Sequence, residues 1–137
     1  MLGSEHALLV SSEDDLDELS ISAPTVVVEV IDGKLRRYTV TPEDVSLTRA
    51  PGEAVPGGDP AANAEIARRV FAGEHGVARD ISVLNAGAAI YAGGQAPSLE
   101  SGVRAAEQAI DSGAAARALE RFCAATQELA PALVGRR

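Results

Sequence analysis

The dipeptide Asp32-Gly33 constrains this chain most, because of what stands on either side of it. Residues Thr25 to Ile31 are rich in Val and Ile, and Lys34 to Val40 carry Leu35, Tyr38 and Val40. A two-residue type I′ turn needs φ > 0 at both central positions, and Asp-Gly supplies them. The segment therefore predicts a β-hairpin, with an antiparallel partner and a register already set.

Other elements are read outward from that hairpin. Ala7-Leu8-Leu9-Val10 is an unbroken apolar run of the kind that forms buried strands inside parallel sheets. Its expected neighbours are not all present, so the sequence reads as though it begins in the middle of a sheet. The acidic stretch from Ser11 to Glu18 reads as a loop or helix start. Thr41-Pro42 opens a helix about a turn long, with Thr as N-cap and Pro at the first position. Residues 50 to 58, with three Gly and two Pro, read as loop. Helices are predicted at 60–72, opened by Asp59-Pro60, and at 80–92, 98–112 and 114–129, on their caps and apolar periods. The fold class is α/β: one core strand and a β-hairpin, followed by helices.

Composition removes several partners. Twenty acidic against twelve basic side chains give a net charge of -8, which argues against nucleic acid or an anionic membrane surface. No apolar run approaches the ~20 residues that span a bilayer. Glu5 and His6 interrupt the apolar start, so Met1 to Val10 does not read as a signal peptide. Cys123 is the single cysteine and cannot form an internal disulfide. The expected compartment is the cytoplasm.

Candidate chemistry is sparse. Asp17-Glu18, adjacent carboxylates in a loop after a strand, could hold a hard cation such as Mg²⁺, although an acidic loop is usually only solvated. Gly57-Gly58-Asp59 precedes a helix as a phosphate-binding turn would, but equally as a linker ending in an N-cap. Asn63 and Asn85 read as structural hydrogen bonders rather than catalytic groups. His6 and His75 lack a recognisable partner and are assigned no role. Cys123 lies on an apolar helical stripe and is expected in the core. No nucleophile motif, zinc spacing or dinucleotide fingerprint is present.

Taken in order, the segments resemble the anthranilate phosphoribosyltransferase family. That family carries a Gly-Leu-Asp-Glu-Leu-Ser run after a core strand, which stands here as Asp15-Leu16-Asp17-Glu18-Leu19-Ser20. The hairpin follows, then Tyr38-Thr39-Val40-Thr41-Pro42-Glu43-Asp44, Gly57-Gly58-Asp59 leading into Asn63-Ala64, Arg79-Asp80, and Leu84-Asn85-Ala86. Gly102-Val103 and Ile110-Asp111-Ser112-Gly113 complete the match, which runs from about Leu2 to about Leu119. Departures occur where the family has His-Gly and this chain Ser11-Ser12, and Gly where it has Asp15. Val45-Ser46 likewise replaces Phe-Gly, and Ala114-Ala115 stands where a Lys is common. If the family glycine at 15 holds φ > 0, Asp15 would set itself against the geometry of the acidic loop.

The resemblance implies a C-terminal portion, residues 1–137 forming part of an α/β domain. It implies an enzyme that moves the phosphoribosyl group of phosphoribosyl pyrophosphate onto anthranilate, releasing pyrophosphate, in tryptophan biosynthesis. It implies that Asp17 and Glu18 hold Mg²⁺ against the pyrophosphate and that none of the residues here is itself catalytic. The phosphate loop, the anthranilate-binding Arg and the helical domain through which a homodimer forms would all lie in an N-terminal half. The isolated chain would then be inactive. The alternative is a non-catalytic remnant or interaction module that keeps the fold without binding substrate.

Overall fold

The computed structural model describes residues 3–51, 55 and 57–134. The expected hairpin is present with the expected bounds: β2 (Thr25–Ile31) and β3 (Lys34–Val40) pair antiparallel around Asp32 (φ 50°) and Gly33 (φ 73°). Both central residues are left-handed, as a type I′ turn requires.

The first strand, β1 (His6–Ser12), departs from expectation. It pairs antiparallel with β2, from His6↔Ile31 to Ser12↔Thr25, in a sheet of order β1-β2-β3. Residues 13–24 fold back on themselves as a tight loop, with no crossover helix, and only a crossover would have made the pair parallel. The unbroken apolar run still has a physical cause, since both faces of β1 are apolar. Leu8 and Val10 pack on the core, while Leu9 on the opposite face is 57% exposed. Among the described residues no strand pairs with the second edge of β1.

After the sheet the chain makes a single 3-10 turn at Pro42–Val45, where the Thr41 N–H and hydroxyl both donate to Asp44 Oδ2. Four helices follow among the described residues: α1 (Pro60–Phe71), α2 (Val77–Ala92), α3 (Leu99–Asp111) and α4 (Ala114–Val134). Asp59 caps α1 by accepting from the Ala62 N–H, and Ser98 caps α3 by accepting from Ser101. α2 begins earlier than expected, because Gly76 precedes it and offers no side-chain cap to read. The loop expected at 50–58 falls partly on residues outside the described ones.

Val27 and Val40 of the sheet, Val83 and Leu84 of α2 and Val103 of α3 share one buried cluster. Helices α2 and α3 cross at Gly87 and Gly102, where a Cβ on Gly87 would come within 2.5 Å of the Val103 backbone nitrogen. The two glycines are thus a condition of the close crossing that seals the core over β2.

Cys123 is exposed and not in the core. The apolar stripe that suggested burial is real, but α4 carries it away from the body, and Phe122 is 66% exposed and Leu129 63%.

Candidate functional site

Asp17 and Glu18 stand at a bend in the loop between β1 and β2, both exposed. The rest of that loop is fixed from several sides. The Ser12 hydroxyl accepts from the Leu16 N–H at 2.9 Å and donates to the Leu16 carbonyl at 3.0 Å. Ser20 Oγ donates to Asp14 Oδ2 at 2.7 Å and accepts from the N–H groups of Ser22 and Ala23. The Ser20 N–H donates to Thr25 Oγ1, and the Ala50 N–H to the Ile21 carbonyl. Leu19 and Ile21 are fully buried and pin the segment to the core.

From the opposite side α2 supplies Asn85. Its Oδ1 accepts the Leu19 N–H and its Nδ2 donates to the Leu19 carbonyl, each at 2.9 Å. Asn85 is thus a structural hydrogen bonder, as its place on a helix suggested, and it holds the residue directly after Glu18. Asp14, also acidic and nearby in sequence, does different work. The neighbouring hydroxyls of Ser12 and then Ser20 hold its carboxyl below the usual range, and the bond it accepts from Ser20 braces the loop from within.

Among the described residues neither Asp17 nor Glu18 has a hydrogen-bond partner, and no group of three or more His, Cys, Asp or Glu is placed to cage a metal. The donor set is therefore two free carboxylates on a braced bend. It fits Mg²⁺, which keeps several waters and commonly takes one or two protein carboxylates plus substrate phosphate oxygens. It would not fit a closed structural zinc site, which needs four ligands of its own.

The other glycine turn is occupied by the chain itself. The Gly58 N–H donates to Asn63 Oδ1 and the Gly58 carbonyl accepts from Asn63 Nδ2. With Asp59 capping α1, this is the linker and N-cap arrangement, and the Gly58 and Ala62 N–H groups are already bonded within the chain.

His6, for which the sequence offers no partner, has two. Its Nε2 lies 2.9 Å from Glu29 Oε1, and the Tyr91 hydroxyl donates to the same oxygen at 2.6 Å. The His6 and Tyr91 rings meet edge to face with centroids 4.7 Å apart. The partners come from three different elements, so no spacing in the sequence announced them. The one available signal was Glu29 on the inward face of an otherwise Val-rich strand.

Residues 1–116 match the family model described as glycosyl transferase family, a/b domain. The chain is 49% identical over 130 residues to the anthranilate phosphoribosyltransferase of Rubrobacter xylanophilus, a match covering 94% of this chain and 38% of the relative. The crystal structure of anthranilate phosphoribosyltransferase from Thermus thermophilus superposes with a TM-score of 0.78 at 45% identity, over 87% of this chain and 35% of that one. A Saccharomyces cerevisiae anthranilate phosphoribosyltransferase variant with Mg bound superposes at 0.76 and 25% identity, over 85% and 34%. The chain thus spans about 38% of the length of the curated relatives it matches. The resemblance read from the ordered motifs and the mixed α/β class are both borne out. The chain belongs to the glycosyl transferase family, through its a/b domain, and its similarity within that family is to anthranilate phosphoribosyltransferases.

Proposed function

We propose that residues 1–137 are part of the α/β domain of an Mg²⁺-dependent anthranilate phosphoribosyltransferase, acting in tryptophan biosynthesis. The whole enzyme would transfer the phosphoribosyl group of phosphoribosyl pyrophosphate to the amine of anthranilate and release pyrophosphate. The observation that carries this reading is the exposed Asp17-Glu18 pair on a loop braced by Asn85 and Ser20, in a chain of this family.

Asp17 and Glu18 are the metal-binding residues of this proposal. Bound Mg²⁺ would offset the negative charge that gathers on a departing pyrophosphate. The two carboxylates would orient that end of the substrate, and the bracing behind them would keep the orientation fixed. No catalytic residue is assigned within the chain. The phosphate loop, the anthranilate-binding Arg and the helical domain, through which a homodimer would form, are assigned to the remaining portion of the enzyme. The isolated chain would therefore hold one end of one substrate and would not turn over. Its proposed compartment is the cytoplasm; the described helices include none long and apolar enough to cross a membrane.

Titration calorimetry tests the metal assignment. The chain should bind Mg²⁺ measurably only when pyrophosphate is present, because the metal seldom relies on one protein pair. The Asp17→Asn/Glu18→Gln double variant should lose that binding while melting at an unchanged temperature. Equal binding by the double variant would favour a remnant that keeps the fold without the site.

A further inference from the structure

Glu29 is a carboxylate on the inward face of a Val-rich strand, only 2% exposed. Its two short hydrogen bonds, from His6 and Tyr91, both land on Oε1. Oε2 receives none of that kind among the described residues, yet it is not among the sealed, unpartnered atoms and so keeps an opening. Tyr38 leans on the same carboxylate more weakly. Burial first, then the Glu29 charge and a weak hydrogen bond to it, push the Tyr38 hydroxyl up, which keeps it a neutral donor.

Arg36 stands directly opposite Glu29 in the β2–β3 register. Opposite charges so placed on neighbouring strands commonly pair. Here the carboxylate is turned inward, and its ion-pair partner is His6 rather than Arg36. One strand pair therefore holds an anion and a cation side by side with a gap between them.

That gap is a cleft of about 440 Å³ between β3 and the turn from α2 into α3. Small-molecule sites run from roughly 300 to 1,000 Å³. Glu29, Tyr38 and Tyr91 line it from within, and Arg36 and Arg37 from the exposed strand. Pro97 and Leu99 give it an apolar wall. Ser98 also lines it, but its hydroxyl is engaged in capping α3. The two arginines disfavour a plain cation, and Glu29 disfavours a plain anion. A ligand that carries both charges on neighbouring atoms, with an apolar remainder, satisfies all of these groups.

We propose that this cleft binds a free α-amino acid with an uncharged, apolar side chain, its ammonium group donating to Glu29 Oε2 and its carboxylate accepting from Arg36. The cleft shares no residue with the Asp17-Glu18 loop, so it stands or falls independently of the proposed function.

The test is a nuclear magnetic resonance titration of the 137-residue chain with L-leucine, L-phenylalanine and L-tryptophan. Saturable shifts are expected at Glu29, Tyr38, Tyr91 and Leu99 with at least one of them. The N-acetyl derivative of the binding amino acid lacks the ammonium group, and its amide lacks the carboxylate. Each should bind about tenfold or more weakly, the scale for a lost charge-assisted hydrogen bond. Glu29→Gln should weaken binding by a similar factor. Arg36→Gln alters an exposed position on the edge strand, and should do the same even if Glu29→Gln fails to fold. Absence of saturable shifts with all three amino acids, equal binding of either derivative, or full affinity in the Arg36→Gln variant would overturn the proposal.

Discussion

Asn85 grips both backbone polar groups of Leu19, accepting its N–H and donating to its carbonyl at 2.9 Å each. One side chain on α2 thereby fixes the residue next to Glu18, and Asn85 also donates to the Ile81 carbonyl of its own helix. Asn85→Ala would strand two backbone groups beside a fully buried Leu19. The expected loss is about 2–3 kcal/mol, the scale for two hydrogen bonds whose partners stay behind. Urea denaturation of the chain and the variant measures it. A loss below about 0.5 kcal/mol would mean the loop is held by Ser20 and Leu19 packing without this clamp.

The cluster of His6, Glu29 and Tyr91 should write itself into the pH dependence of stability. Burial pushes the Glu29 carboxyl up, but hydrogen bonds from Tyr91 and His6 and the charge of His6 outweigh it, and its pKa lies below the ordinary 4.5. Its hydrogen bond to Glu29 first, then burial, pushes the Tyr91 hydroxyl up from 10.0 to about 12. A lowered carboxylate stabilises the fold above 4.5 and loses that contribution as pH falls through its folded value. A raised phenol stabilises below 10.0 and loses its contribution as pH rises through about 12. Glu29→Gln keeps an acceptor and removes the charge. Urea midpoints against pH for the chain and this variant should therefore converge at both ends and differ most between them. Parallel profiles across the whole range would contradict the cluster.

Two residues outside glycine adopt φ > 0 at places where the resembled family carries glycine: Asp15 at 64° and Ser46 at 62°. A left-handed conformation costs an L-residue about 1–2 kcal/mol, and glycine returns part of that gain through the entropy of its unfolded chain. Asp15→Gly and Ser46→Gly should each stabilise the chain by about 0.5–1 kcal/mol. The Asp15 change tests a second point, since the residue stands two before Asp17. Thermal melts showing destabilisation by both substitutions would mean the side chains contribute more than the strain they carry.

The fold was legible where the signal was local. Asp32-Gly33 named a turn type, Asp59 and Ser98 named helix starts, and each is in place because the chemistry lies within a few residues. What failed needed information from elsewhere in the chain. β1 read as parallel because an apolar run reports burial on two faces and says nothing of strand direction. Cys123 read as core because a helical stripe reports a face and not a neighbour for it. His6 was passed over because Glu29 and Tyr91 reach it only through the sheet and α2. For the proposed site, Asp17 and Glu18 read from the residues alone as an ordinary acidic loop and as metal ligands only through the family resemblance, whereas the bracing by Ser12, Asp14, Ser20 and Asn85 becomes evident only when the loop closes.

Transfer activity in a chimera tests the central claim most directly. The corresponding portion of the Rubrobacter xylanophilus relative would be replaced by this chain, and turnover followed by loss of anthranilate fluorescence. The chimera should be active and the isolated chain inactive. Asp17→Asn/Glu18→Gln in the chimera should cut kcat/KM by about a hundredfold or more, as the loss of a metal-held leaving group implies, with no change in Tm. Wild-type turnover by that double variant at limiting Mg²⁺ would contradict the account.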